Sequence, residues 1–202
     1  MKKILVTFTI ILFTSSLFAQ LFRFNSGGMI SVQWNMAKPL GSMTDFIKNT
    51  SFTGMNIDYR HCYKNNIILG GRTGWNSFYE NRKLLIIEDG EFTSYKNIQH
   101  KVITAPIMFV VDYMVNSDKI IPYAGVGIGA YYIGQSTVSN NVINESNNSF
   151  HFGVSPELGI TIPFIVSNFG LNVSSRYNYA LGNSKSDSYS WFDFSIGISF
   201  MY

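Results

Sequence analysis

Charge is scarce in this chain. Of 202 residues only 13% are Asp, Glu, Lys or Arg, against roughly 25% in ordinary soluble domains. A soluble fold this poor in charge would struggle to cover its surface. Cysteine is nearly absent too: Cys62 stands alone, which excludes an internal disulfide and a metal site built on several cysteines. It reads as a small strand side chain. Long apolar runs are missing after residue 20. No later stretch reaches the length of about 20 residues that a membrane helix needs without meeting Gly, Pro or charge. Nor is there an excess of one sign. The formal charge is +3, and without Lys2 and Lys3 the balance is 13 basic against 12 acidic residues. That gives no electrostatic case for nucleic acid.

What the chain does have is aromatic side chains, 16% of the total, at a mean hydropathy of only +0.09. Abundant aromatics with a modest average suit strands that are apolar on one face and polar on the other. The last stretch, Trp191 to Tyr202, has this pattern most clearly. Phe192, Phe194, Ile196, Ile198, Phe200 and Tyr202 are large and apolar. Trp191, Asp193, Ser195, Gly197, Ser199 and Met201 occupy the other phase and are mostly small or polar. Side chains alternate across a strand, so one face is oily and the other tolerates water. Such a strand suits the closing edge of a transmembrane barrel.

Residues 1–19 have the form of a secretory signal peptide. Met1-Lys2-Lys3 is a basic start, Ile4 to Phe18 is apolar, and cleavage is expected after Ala19. Residues 20–202 are then the mature domain. No cysteine follows the cleavage point, so a lipid anchor is not expected.

Along that domain the period-2 pattern repeats. It predicts strands at 28–37, 54–63, 67–79, 101–115, 121–134, 150–162, 169–181 and 191–202. Polar loops are expected at 38–52, 136–149 and 182–190, with Thr44 capping a helical turn through Ile47. Leu84 to Tyr95, with Asp89-Gly90 at its centre, reads as a hairpin extending strands three and four beyond the membrane. Short turns follow strands two, four and six. That pattern places both termini in the periplasm and the longer connections outside the cell. Backbone edges cannot lie open in lipid, so the sheet must close. The expected fold is all-β, an eight-stranded antiparallel up-and-down transmembrane β-barrel.

The inward phase carries Asp58, Arg60, Arg72, Asp112, Glu157, Arg176 and Asp193. An eight-stranded barrel is just wide enough for side chains to fill it, and buried charges must pair. Two clusters are expected. One centres on Arg176 with Glu157 and Asp193; the other gathers Asp58, Arg60 and Arg72. Together they would form an ion-paired plug, with a gated pore or ligand site as the sharper alternative.

Other patterns lead to less. Gly125-x-Gly127-x-x-Ala130 matches a dinucleotide fingerprint formally, but Tyr131-Tyr132-Ile133 continues a strand where that motif needs a helix. These glycines are expected to make room for bulky neighbours inside the barrel. His61, His100 and His151 have no partner at metal-ligand spacing. His151, Ser155 and Glu157 share the inward phase, but residues four apart in a strand lie roughly 13 Å apart, too far for a nucleophile and its base. No catalytic, cofactor or metal residue is assigned, and no enzyme is expected. Trp34, Trp75 and Trp191 fit interfacial girdles. Asn49, Asn144, Asn147 and Asn172 begin glycosylation-type triplets that carry no meaning in a bacterial barrel.

The chain resembles the outer-membrane β-barrel domain family, the small eight-stranded proteins of OmpA/OmpX type. The signal peptide, PYAGVGIGAYY at 122–132, FHFGVSPELGI at 150–160, SSRYNYAL at 174–181 and the aromatic-ended FSIGISFMY carry the resemblance. It implies a Gram-negative-type outer membrane, lipid as surroundings, and the barrel-assembly machinery as partner during insertion. In this family the closing-strand pattern is the assembly signal, which implies that role for Ile198, Phe200 and Tyr202. Members are structural barrels, adhesins, small pores or, occasionally, lipid-modifying enzymes. The expected function is structural or surface-interacting, with the loops at 80–100 and the hairpin 84–95 as a surface for an extracellular protein. A narrow channel for small solutes and an outer-leaflet lipid enzyme are the alternatives.

Overall fold

The computed structural model describes residues 27–202 except 65, 89–90, 116, 118, 140–141, 165–166 and 184–185, with only the backbone described at 83–97 and 139–145. The expected signal peptide and the Asp89-Gly90 turn lie outside the described residues.

Eight strands form one closed, antiparallel, up-and-down barrel: β1 (Gly28–Leu40), β2 (Ser51–Lys64), β3 (Ile67–Glu88), β4 (Glu91–Met114), β5 (Ile121–Ser139), β6 (Val142–Pro163), β7 (Phe169–Ala180) and β8 (Tyr189–Met201). The closing strand behaves as its alternation predicts. Met29 pairs with Met201, Val32 with Ile198 and Trp34 with Ile196 across the β1–β8 seam. Phe192, Phe194, Ile196, Ile198 and Phe200 all face outward and are exposed, while Trp191, Asp193, Ser195, Ser199 and Met201 are buried inside. The same division holds around the wall. Ile30, Val32, Ile57, Ile107, Phe109, Ile128, Phe152 and Leu158 stand outside. An apolar exterior around a polar interior inverts the soluble pattern.

Several boundaries differ from the sequence expectation. The Asn/Ser-rich stretch 136–149 is largely strand: β5 runs on to Ser139 and β6 starts at Val142. Asn and Ser are poor strand formers, but here the backbone ladder pairs Ser136 with Ser146 and Thr137 with Glu145. Polar residues on both faces signal a strand with no oily side to bury. The β3 and β4 backbones likewise stay paired up to Glu88 and Glu91. Strands β3 to β6 therefore have 19 to 24 residues, against 12 to 14 in the other four. Only about 9–11 are needed to cross a bilayer. The excess, about ten residues per strand, amounts to roughly 30 Å of extra strand.

Some inner glycines work through close approach. The Tyr131 ring lies flat over Gly153, where an added Cβ would come within 2.6 Å of Tyr131 Cε2. The Tyr123 ring covers Gly159 in the same way, with Cε1 2.8 Å from the Cβ position. Glycine lets each aromatic ring lie across the narrow lumen.

Candidate functional site: the filled lumen and its mouth

The seven charged side chains on the inward phase are all buried, none more than 4% exposed. They form one network rather than the two clusters expected. Arg60 Nη1 bonds Asp58 Oδ2 at 2.8 Å, its Nε bonds Asp112 Oδ2 at 2.6 Å, and its Nη2 reaches Glu157 at 3.2 Å. Arg72 Nε donates to Asp58 Oδ1 at 2.7 Å, and its Nη2 pairs with Glu157. Arg176 Nε lies 3.4 Å from Glu157 Oε2, and its Nη1 lies 3.9 Å from Asp193 Oδ2. Glu157 thus meets all three arginines. Its ladder partner is Arg176 on β7, but its side chain also reaches across the lumen to β2 and β3. The barrel is narrow enough for opposite walls to touch, so neighbouring-strand logic alone splits what the bore unites.

Neutral groups complete the network. The Tyr123 hydroxyl lies 3.0 Å from Glu157 Oε1, and Arg60 stacks 4.9 Å over its ring. Gln33 Nε2 donates to Asn172 Oδ1 at 2.7 Å, and Arg176 Nη2 donates to Gln33 Oε1. Attention to charge alone misses Gln33, Asn172 and Tyr123, although period 2 already places all three inside.

Apolar side chains lie against this polar layer at both ends. Met29, Ile68, Met114, Ile121, Tyr123 and Met201 pack at the end with the short turns. At the other end Phe78, Val102, Tyr131, Ile133 and Trp191 pack together. Trp191 is therefore not a girdle residue. It is 1% exposed and edge-on to Tyr131 at 5.0 Å, whereas Trp34 and Trp75 do stand outside. Its position in the small-residue phase already pointed inward.

A lid adds to the second apolar layer. The connection after β1 contains α1 (Met43–Phe46), one short turn of helix. Met43 and Ile47 drop into the mouth and are buried. Thr44 is not the cap: Ser42 precedes the helix, and Thr44 Oγ1 donates to Gly41 O at 2.7 Å from within it. Thr44 is the second residue of the helix, one turn position too late to be its cap, and its side chain turns back to Gly41 instead. What holds the lid is Glu80 on β3, which accepts from the Lys48 backbone N–H at 2.5 Å and from Arg82 Nε at 2.7 Å. Arg82 also donates to Phe46 O, and Phe46 stands edge-on to His100 at 4.6 Å.

Burial pushes the Glu80 carboxyl upward, but the Lys48 N–H and the Arg82 guanidinium outweigh it and hold it below the usual carboxylate range. A lowered folded value means stability that is present at neutral pH and lost as pH falls. Glu80→Gln is expected to speed amide hydrogen exchange in Met43–Lys48 about tenfold, because a charged hydrogen bond worth about 1.5–3 kcal/mol is replaced by a neutral one worth about 0.5–1.5 kcal/mol. Acidification of the unaltered protein should act in the same direction. Unchanged exchange in the variant would show that packing of Met43 and Ile47 alone holds the lid.

The hydrolase arrangement excluded on spacing does not assemble. Ser155 Oγ lies 3.3 Å from Arg72 Nη1, Glu157 belongs to the ion network, and His151 turns to other partners. Among the described residues no group of three or more His, Cys, Asp or Glu is disposed to hold a metal ion.

With this geometry, solved structures of low sequence identity provide a match. Neisserial surface protein A superposes with a TM-score of 0.58 at 13% identity, over 86% of this chain and 96% of that one. The chain has the fold of the small eight-stranded outer-membrane barrels. The outer membrane protein OprG of Pseudomonas aeruginosa matches at a TM-score of 0.52 and 10% identity, over 88% and 96% of the two chains. The attachment invasion locus protein Ail of Yersinia pestis, solved with the heparin analogue sucrose octasulfate, matches at 0.50 and 17%, over 88% and 97%. No protein-family model matches the sequence, and no curated protein sequence matches it. The outer-membrane barrel fold is thus shared with these proteins.

Proposed function

We propose that this chain is an outer-membrane β-barrel whose lumen is a structural plug and whose work is done by the surface it raises outside the cell. One observation carries the reading. Four strands, β3 to β6, rise far above a bore filled by an ion network between two apolar layers. Above Tyr79, β3 pairs only with β4; above Phe150, β6 pairs only with β5. The result is a short four-stranded flap, reaching Ile98 on β4 and Ser139 on β5, from which the β3–β4 pair runs on alone with a backbone edge on either side. An unpaired edge is a template for another strand. On this reading residues 1–19 are a signal peptide, both termini lie in the periplasm, and Ile198, Phe200 and Tyr202 form the assembly signal. The barrel sits in a Gram-negative-type outer membrane, and the hairpin 84–95 meets an extracellular protein.

The plug makes a definite prediction. Protein inserted in planar bilayers should give no discrete conductance steps, because the ion network is packed between two apolar layers among the described residues. Regular unit steps would favour the channel alternative. Photo-cross-linking from the flap on intact cells tests the surface. Removing residues 84–95 should abolish the cross-linked species while leaving insertion intact. Cross-links that persist after the deletion would contradict the assignment.

A further inference from the structure

The mouth also holds a group of side chains that the plug does not use. His151 sits on the inner face of β6, 1% exposed. Its Nδ1 lies 2.7 Å from the carbonyl oxygen of Leu181. A carbonyl only accepts, so Nδ1 carries the proton, and in the neutral ring Nε2 presents its lone pair. That lone pair faces two hydroxyls, Ser149 Oγ at 2.7 Å and Ser186 Oγ at 3.2 Å. The nearer, Ser149, donates its proton to Nε2. This is a hydroxyl, a base within hydrogen-bond reach, and a third group that sets the base's tautomer and direction. Here a backbone carbonyl takes the place of the usual carboxylate.

The surroundings fit the same chemistry. The base is sealed, while Ser149 and Ser186 are both half-buried and open toward the mouth. The Tyr189 ring stands edge-on to His151 at 5.2 Å, and Ser186 and Gln135 lie near its hydroxyl. Gln135 lies two residues along β5 from Ile133, the ladder partner of Ser149. An amide and a phenol are thus the donors at hand for a developing oxyanion. Below, Tyr131, Ile133 and Trp191 pack together across the bore, which favours a short acyl chain over a long one.

We propose that Ser149 is an acyl-transfer nucleophile and His151 its general base, acting on short-chain carboxylic esters that enter the mouth. Ser149 Oγ bonds to the ester carbonyl carbon as its proton passes to His151 Nε2. Collapse of the tetrahedral adduct breaks the ester C–O bond, and His151 returns the proton to the departing alkoxide as an alcohol. Water, deprotonated in turn by His151, then releases the acyl group as a carboxylic acid and restores Ser149. This activity goes beyond the surface role proposed above and does not depend on it.

The test uses the full chain refolded into phosphatidylcholine vesicles and a fluorescent alkyl fluorophosphonate, which traps an activated serine. The expected result is covalent label mapped by peptide mass to Ser149, absent in Ser149→Ala, and formed at least 100-fold more slowly in His151→Gln. p-Nitrophenyl acetate should be turned over faster than p-nitrophenyl palmitate. The circular dichroism strand signal reports folding of each variant. If His151→Gln fails to fold, the comparison with Ser149→Ala still decides. No label above the Ser149→Ala background would overturn the proposal. So would label on Ser186, or equal labelling in a folded His151→Gln. His151 would then only anchor the connection after β7.

Discussion

Replacing Glu157 by glutamine is expected to destabilise the barrel by about 3–5 kcal/mol, the range for breaking a buried ion pair from one side. Glu157 is the one acid that all three lumen arginines touch. Glutamine keeps the shape and removes the charge. Arg72 keeps Asp58, and Arg60 keeps Asp58 and Asp112. Arg176 is left with Asp193 at 3.9 Å and the neutral oxygens of Gln33 and Ser174. The four acids outnumber the three arginines, but the surplus does not rescue Arg176, because an anion must be in contact to offset desolvation. Urea unfolding from lipid vesicles, followed by tryptophan fluorescence, measures the loss. A loss below about 1 kcal/mol, as for solvent-exposed pairs, would mean that the network is hydrated and the bore open.

Ile196→Arg is expected to cost about 2–4 kcal/mol and to lower insertion yield sharply. That is the cost of a lipid-facing Arg near the middle of a barrel's apolar band. Ile196 lies midway along the outward row of β8 and pairs with Trp34 and Val173. The same substitution at Tyr202, at the edge of the band, should cost about 0–1 kcal/mol. Depth dependence separates lipid from any other apolar surroundings. A soluble partner protein covering this face would penalise both positions without regard to depth.

Much of the fold was legible in the sequence because a barrel wall imposes strict alternation. Ser195, Gly197 and Ser199 could not share a face with Ile196, Ile198 and Phe200. All eight strands follow from that rule. What failed is instructive in physical terms. Residues 136–149 have no oily face, so period 2 falls silent there, although the backbone pairs on. Trp191 fits a girdle by residue type, but its phase on the strand places it inside. The lumen charges find partners across the bore as well as on adjacent strands. The bore brings Arg60 of β2 onto Glu157 of β6, 97 positions apart in the chain, and no local pattern encodes that contact. The lid left almost no trace in the pattern, since Met43 and Ile47 are two apolar residues in a polar stretch. The pairing of His151 with Ser149 lies at i and i−2, on one face of one strand.

The most direct test of the account is a bromolipid quenching scan of β8. Each residue from Phe192 to Phe200 would be replaced in turn by cysteine, with Cys62 changed to serine, and labelled with a small fluorophore in phosphatidylcholine vesicles. Positions 192, 194, 196, 198 and 200 should be quenched by brominated acyl chains, most strongly at 196. Positions 193, 195, 197 and 199 should resist both bromolipid and aqueous iodide. Iodide quenching of the odd positions would show a water-filled bore, and bromolipid quenching without alternation would contradict the barrel wall itself.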